Sequence, residues 1–180
     1  NVAPEAGMVL AAVASGNQER ARENVAAFNT PVPVVDLAEL ADRCDVIVEC
    51  APPDKFQEIA EPAIKAGRVF MPISVTSLLD RMDLIEEARL TGARIIVPTG
   101  ALLGLDALRA AALGTIHSVT MITRKPPKGL KKAPFVIEQG IDLDGLSEPM
   151  KLFQGPVSEA ATKFPANVNV AVALGLAGIG

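Results

Sequence analysis

Short apolar runs alternate with helical segments through the first hundred residues, and this alternation most constrains the fold. The apolar runs predict strands at residues 8–14, 32–35, 45–50, 68–73 and 93–98. Helices are predicted at 18–28, which is rich in Ala, Arg and Glu, at 36–43 and at 55–66. A fourth is predicted at 78–90, where apolar residues recur at helical intervals after a capping-box pattern from Ser77 to Asp80. Val- and Ile-rich runs separated by helices are typical of a parallel sheet covered on both faces. Residues 1–100 are therefore predicted to form a doubly wound α/β domain.

The alternation changes after Gly104. Residues 105–113, 156–163 and 167–177 have the composition of helices. Residues 116–123 and 148–154 are predicted as strands, and a Pro- and Lys-rich loop occupies 124–132. Because strands and helices no longer alternate strictly, residues 101–180 are predicted to form a second, α+β domain.

Composition excludes several classes of function. The chain has 17 Lys and Arg against 21 Asp and Glu, with no Trp or Tyr, so nucleic-acid binding is not expected. His117 is the one histidine and Cys44 and Cys50 are the two cysteines, which is too few for a structural or catalytic zinc site. Two cysteines form no disulfide framework and suit a reducing compartment. The longest apolar stretch, residues 170–180, is shorter than the roughly 20 residues that cross a bilayer.

Ligands of doubly wound sheets bind at the carboxyl ends of the strands. These ends correspond to residues 15–17, 50–53, 73–76 and 98–104. A dinucleotide-binding domain normally opens with a strand, a G-x-G-x-x-G turn and a helix, and this motif does not occur here. The first apolar run behaves like the second strand of such a domain, so the glycine-rich turn is expected upstream of Asn1.

The end of the second strand of a dinucleotide-binding domain normally meets the adenosine ribose. A carboxylate at this point would bind the ribose of NAD, but the chain has Ser15, Gly16 and Asn17 with Arg20 and Arg22 close by. Small polar residues and arginines leave room for a 2′-phosphate, which suggests tolerance of NADP. A plain turn before a solvated helix explains the same residues.

Two later segments combine small residues with a helix start. Gly100 and Gly104 flank a bend that contains the small residue Ala101. Asn167 and Asn169 follow Pro165 and precede an apolar helix. Either asparagine could cap that helix, and a carboxamide there could instead hydrogen-bond the carboxamide of a nicotinamide.

Three segments carry a resemblance to a known family: PTGALLGLDAL at residues 98–108, VTMITRKPP at 119–127 and KFPANVNVAVALGLAGIG at 163–180. Together with Cys50-Ala-Pro, Glu61-Pro and Ser74-Val75, they resemble the L-aspartate dehydrogenase family over essentially the whole chain. The resemblance implies a Rossmann-type domain lacking its first strand, turn and helix, followed by a catalytic and dimerisation domain. It also implies NAD- or NADP-dependent oxidation of L-aspartate to iminosuccinate by a cytoplasmic homodimer. Iminosuccinate then hydrolyses to oxaloacetate and ammonia or feeds quinolinate synthesis.

The resemblance also assigns site residues. It implies that Ala101 and Asn167 contact NAD(P), with further candidates at Cys50-Ala51 and Ser74-Val75. The family's catalytic histidine is expected beyond Gly180, so the chain is expected to be an internal segment with no catalytic residue of its own. His117 does not match that position and is interpreted as structural.

The two carboxylates of aspartate require cationic partners. Lys163, beside the FPAN segment, is the predicted substrate-binding residue, while Arg124, Lys125, Lys128, Lys131 and Lys132 are expected to be mostly solvated. A catalytic role for Cys50 would need a histidine partner, which the sequence does not indicate. The alternative functions are an oxidoreductase of the homoserine dehydrogenase or dihydrodipicolinate reductase type, or a non-catalytic dinucleotide-binding module.

Overall fold

The computed structural model describes residues 7–100 and 102–178. Its contacts divide the chain into two compact units. Unit 1 comprises Asn1–Pro72 and Arg81–Ile96, and unit 2 comprises Ile73–Asp80 and Val97–Gly180. The short segment Ile73–Asp80 therefore packs with the C-terminal half of the chain.

Strands and helices alternate through the first hundred residues as predicted, whereas helices and loops make up the described part of the chain after Ile95. The strands are β1 (Val13–Ala14), β2 (Val34–Val35), β3 (Val46–Glu49), β4 (Val69–Pro72) and β5 (Arg94–Ile95). The α-helices are α1 (Gln18–Ala26), α2 (Leu40–Arg43), α3 (Phe56–Lys65), α4 (Val75–Leu79), α5 (Asp83–Thr91), α6 (Leu105–Ala111), α7 (Pro134–Glu138), α8 (Val157–Lys163) and α9 (Asn169–Ala177).

All the strand pairs of unit 1 are parallel, which confirms the predicted α/β class. β1 pairs with β2, and β4 lies between β3 and β5 in a second sheet. Glu49 is opposite Pro72 in the β3–β4 register, so these two strands end at the same edge of the sheet. The loops that follow β3 and β4 therefore leave the sheet from that edge.

The core of unit 1 forms around α3. Its buried side chains recur at helical spacing, at Phe56, Ile59, Ala60, Ala63 and Ile64. Phe56 makes an edge-to-face contact with Phe70 of β4, with ring centroids 5.7 Å apart. The buried Leu84 of α5 completes this apolar centre.

The described residues of unit 2 form two apolar clusters. One joins Val75 of α4 to Ala161 of α8 and to Val172 and Ala173 of α9. The other is built from four buried residues with Phe135 and Phe153 packed against them, namely Ala133, Val136, Leu143 and Phe164. The first cluster holds α4 against the N-terminal half of α9.

The prediction that a helix over 78–90 starts after a cap at Ser77 is wrong. Ser77 lies inside α4, and its backbone N–H donates to the Ser74 carbonyl oxygen at 3.0 Å, so it does not cap a helix. The chain turns after Leu79 and a separate helix, α5, begins at Asp83. The tertiary contacts of α4 override the local capping pattern.

The strands predicted at 116–123 and 148–154 do not form. Within residues 7–100 and 102–178, neither segment pairs with another strand, and a strand without a partner leaves its backbone groups unbonded. Ile122 is 80% exposed, so the alternation in that segment does not produce a buried face. Strand β1 is also shorter than predicted, because only Val13 and Ala14 find partners in β2.

Candidate functional site

The loop after β3 contains the predicted cofactor residues Cys50 and Ala51, in unit 1. The preceding Glu49 is 1% exposed, and its Oε1 atom accepts a hydrogen bond from the Ala51 backbone N–H at 2.7 Å. The carboxylate thereby fixes the backbone that follows the strand. Glu49 was not predicted as a site residue, although a charged residue ending an otherwise apolar strand was a usable signal.

Cys50 is exposed at this edge of the sheet. Partial burial raises the pKa of its thiol, and the neighbouring Glu49 carboxylate raises it further. At neutral pH the thiol therefore stays protonated and is a poor nucleophile. His117, in unit 2, is exposed and lies outside any helix or strand.

The loop after β4 leads into α4 and contains the predicted residues Ser74 and Val75. Val75 is buried against α9. The next residue, Thr76, is also buried and makes two hydrogen bonds to the Asn169 Oδ1 atom, from its backbone N–H at 3.0 Å and from its hydroxyl at 2.6 Å. Ser74 and Val75 are thus tied to the first residue of α9.

The two asparagines that precede and start α9 have different roles. The Asn167 amide nitrogen donates to the Gly129 carbonyl oxygen at 3.3 Å, while Asn169 binds Thr76. Val168 occupies the N-cap position of α9 and neither asparagine caps it, so the capping explanation is wrong. Since a carbonyl oxygen cannot donate, the Asn167 amide must present its nitrogen to Gly129. Within residues 7–100 and 102–178, no group donates to the Asn167 Oδ1 atom, which can accept from a ligand.

The bend after β5 approaches the same helix. Gly100 has a φ of +58°, and a Cβ atom placed on it would lie 3.0 Å from the Val170 Cγ2 atom. A glycine is required there because a side chain would meet both backbone strain and α9. The predicted cofactor residue Ala101 lies outside the described residues.

Lys163, the predicted substrate-binding residue, ends α8. Its ammonium group lies 3.3 Å from Glu159 and 4.9 Å and 5.8 Å from the ring centroids of Phe153 and Phe135. These contacts hold the charge at a defined place. They also mean that a substrate carboxylate would compete with Glu159 for Lys163.

The turn after β1 is built from its own side chains. Asn17 Oδ1 caps α1 by accepting from the Arg20 backbone N–H at 2.9 Å, and Ser15 Oγ accepts from the Asn17 N–H at 3.3 Å. Arg22 binds Gln18 Oε1 at 2.7 Å, and the exposed Arg20 side chain extends from the same turn. Both explanations of this segment, a plain turn and a place for a 2′-phosphate, remain compatible with these contacts.

No described helix combines the length and the apolar composition that crossing a bilayer requires. Nor do any three His, Cys, Asp or Glu side chains within the described ranges come together as a metal ion would need.

Two family models match the chain in succession. The NAD-binding domain of homoserine dehydrogenase matches residues 3–98, and the C-terminal domain of aspartate dehydrogenase matches residues 106–180. A crystal structure of aspartate dehydrogenase from Thermotoga maritima superposes with a TM-score of 0.61 at 24% identity, covering 94% of this chain and 74% of that one. This likeness shows a shared fold.

Curated relatives cover almost the whole chain. The L-aspartate dehydrogenase of Bradyrhizobium diazoefficiens is 51% identical over 174 residues, which is 97% of this chain and 62% of that protein. L-aspartate dehydrogenase 3 of Bordetella bronchiseptica is 49% identical over 97% of this chain and 64% of that protein. The L-aspartate dehydrogenase of Methanosarcina acetivorans is 41% identical over 98% of this chain and 66% of that protein. The chain spans less than two thirds of the length of the first two. Its two matched domains and these relatives show that the chain belongs to the L-aspartate dehydrogenase family.

Proposed function

We propose that the protein containing this chain oxidises L-aspartate to iminosuccinate with NAD or NADP as the electron acceptor. The observation that carries the proposal is the convergence of two segments on the start of α9. Thr76 binds Asn169 and Gly100 approaches Val170, next to Asn167, whose amide nitrogen is bound to the Gly129 carbonyl oxygen. The names of the relatives favour aspartate over the homoserine dehydrogenase and dihydrodipicolinate reductase alternatives.

The described residues suit a nicotinamide cofactor. The Asn167 Oδ1 atom can accept from the carboxamide NH₂ of the nicotinamide, because Gly129 already binds the Asn167 nitrogen. Ala101, Cys50, Ala51, Ser74 and Val75 are the further proposed cofactor contacts. A bound nicotinamide would supply the acceptor for the hydride of the aspartate Cα, and the amine would lose a proton to solvent as the imine forms. Water then hydrolyses iminosuccinate to oxaloacetate and ammonia.

The remaining parts of the proposal concern the whole protein. We propose that residues 1–100 form the dinucleotide-binding domain and residues 101–180 the substrate and dimerisation domain, which also contributes Ala101 and Asn167 to the cofactor site. A cytoplasmic location is supported by two free cysteines, Cys44 and Cys50, which suit a reducing compartment. A homodimer is supported by large apolar side chains exposed in unit 2, among them Leu113 and Ile122.

A substrate panel tests the activity. The protein encoded by the complete reading frame is incubated with NAD or NADP and with L-aspartate, D-aspartate or L-homoserine, and cofactor reduction is followed by absorbance. We expect reduction with L-aspartate and a much slower reaction with the other two. If the cofactor is reduced with L-homoserine and with neither aspartate, the protein is an oxidoreductase of the homoserine dehydrogenase type. Cofactor binding without any reaction would instead favour a non-catalytic module.

Lys163 is proposed to bind a substrate carboxylate. Lys163→Met removes the charge and keeps an unbranched side chain over the Phe153 ring. Losing one charged hydrogen bond should raise the KM for L-aspartate by about tenfold. Glu159→Gln is the control, since it removes the competing ion pair and leaves the ammonium group available. An unchanged KM in Lys163→Met would remove Lys163 from the substrate site.

A further inference from the structure

We propose that Asn169 is a positioning residue that sets the place of the cofactor-contacting residues through its bond to Thr76. This inference rests on the proposed function. Asn169 lies two residues after Asn167, and Thr76 lies directly after Ser74 and Val75. One contact therefore joins the two proposed cofactor segments across 93 positions of the sequence.

The Asn169 oxygen supplies what the first turn of α4 lacks. The first N–H groups of a helix have no acceptor within the helix, and a nearby side chain usually supplies one. Here the acceptor for the Thr76 N–H comes from a distant helix, and the same oxygen also accepts from the Thr76 hydroxyl. Because an amide oxygen has two lone pairs, both are in use.

Helix α4 depends on this contact for its position. It has only five residues, and so short a helix does not hold its place without tertiary contacts. Two kinds of contact join it to α9, namely the packing of Val75 against Val172 and Ala173 and the bonds from Thr76 to Asn169. Packing is non-directional, whereas hydrogen bonds fix distance and angle. The Asn169 oxygen thus determines where Ser74 and Val75 lie relative to Asn167.

Removing the acceptor would leave two buried donors of Thr76 without a partner. The first turn of α4 would then move to find another acceptor or water. Such a shift would weaken cofactor binding while the chain stays folded on the core of unit 1 and the apolar clusters of unit 2.

Four variants test this role, with NADH binding followed by fluorescence titration. Asn169→Leu removes the acceptor at similar volume and should raise the Kd of NADH by about tenfold. Thr76→Val removes only the hydroxyl and should raise the Kd by about threefold. Thr76→Ser retains both donors and should restore a Kd within about twofold of wild type. Steady-state kinetics should show a larger rise in the KM for the cofactor than fall in kcat.

Leu84→Ala separates positioning from stability. Leu84 is buried in the core of unit 1, so this variant lowers the melting temperature without changing a residue of the apolar clusters around the Thr76–Asn169 contact. Its Kd for NADH should equal that of the wild type. A rise in the Kd equal to that of Asn169→Leu would overturn the proposal.

The remaining outcomes are also decisive. If wild type binds NADH and both Asn169→Leu and Thr76→Val bind it equally well, the positioning role is wrong and the proposed function stands. If wild type binds neither NADH nor NADPH, both the proposed function and this inference are wrong. Should Asn169→Leu fail to fold, the comparison of Thr76→Val with Thr76→Ser decides alone.

Discussion

The bend after β5 comes close to α9 at Gly100, because glycine has no side chain. We expect Gly100→Ala to destabilise the fold for two reasons, a backbone at φ +58° and a Cβ atom 3.0 Å from Val170. The left-handed backbone conformation costs an alanine about 1–2 kcal/mol of folding free energy. Displacing the Val170 side chain adds roughly 1 kcal/mol.

Gly140 is a matched control for Gly100. Its φ is +59°, and nothing lies within 4 Å of the Cβ atom it would carry. The free energy of unfolding of Gly140→Ala, measured by urea denaturation, should therefore fall only by the cost of the left-handed backbone. If the free energy of unfolding falls equally in the two variants, the close approach of Gly100 to Val170 does not contribute to the destabilisation.

Ser15 is the residue at which cofactor preference should be most easily changed. Ser15→Asp places a carboxylate in the turn after β1, where it can accept from a ribose hydroxyl and repels a 2′-phosphate. The ratio of kcat/KM for NAD to that for NADP should rise at least about tenfold. Ser15→Asn is the uncharged control and should leave the ratio close to that of wild type. If Ser15→Asp leaves this ratio unchanged, the segment is a plain turn and does not select the cofactor.

At the scale of elements, Arg81 links α3 to α5. Its guanidinium group lies 2.8 Å from Asp83 and 3.0 Å from Glu61. Hydrogen bonds from Arg81 lower the pKa values of both carboxyl groups. Carboxyl groups with lowered pKa values stabilise the fold above their unfolded pKa, near pH 4, and lose this contribution as pH falls through the folded values.

We therefore expect a pH-dependent effect of Arg81→Met. Its melting temperature should fall below that of wild type at pH 7, and the difference should shrink as pH falls below about 4. Arg89→Met is the control, because Arg89 pairs with the exposed Glu86 within α5 and its loss should have little effect at any pH. A deficit for Arg81→Met that is the same at pH 3 and pH 7 would show that the lost packing, and not the charge, is responsible.

The elements that were predictable from sequence are those whose signals are local. The apolar runs of β3 and β4 and the helical spacing of Phe56, Ile59 and Ala63 need no distant partner to be recognised. The wrong predictions concern segments whose secondary structure depends on contacts with residues distant in the sequence. Ser77 has the local pattern of a cap but lies within α4, and Ile122 alternates like a strand residue but has no strand beside it.

At the scale of the whole molecule, the candidate site was only partly predictable. The segments with Ser74, Val75 and Asn167 could be located because they follow strands or match a family pattern. The bond between Thr76 and Asn169 could not, since no periodicity relates residues 93 positions apart. The sequence suggested that either asparagine could cap a helix, and the fold instead uses both for other contacts.

The proposed homodimer gives a whole-molecule prediction that also tests the assignment of dimerisation to residues 101–180. Ile122 and Leu113 of unit 2 are 80% and 92% exposed, and burying such large apolar side chains in an interface is favourable. We expect Ile122→Lys to shift the protein from dimer to monomer in sedimentation velocity runs, because burying an unpaired ammonium group in an interface is strongly unfavourable.

Leu90→Lys is the matched control for this experiment. Leu90 lies on α5 of unit 1 and is 88% exposed, so it is an equally accessible apolar residue in the other part of the chain. This variant should sediment as a dimer like the wild type. If Leu90→Lys dissociates while Ile122→Lys does not, dimerisation belongs to unit 1, because a lysine disrupts an interface only where that interface excludes water.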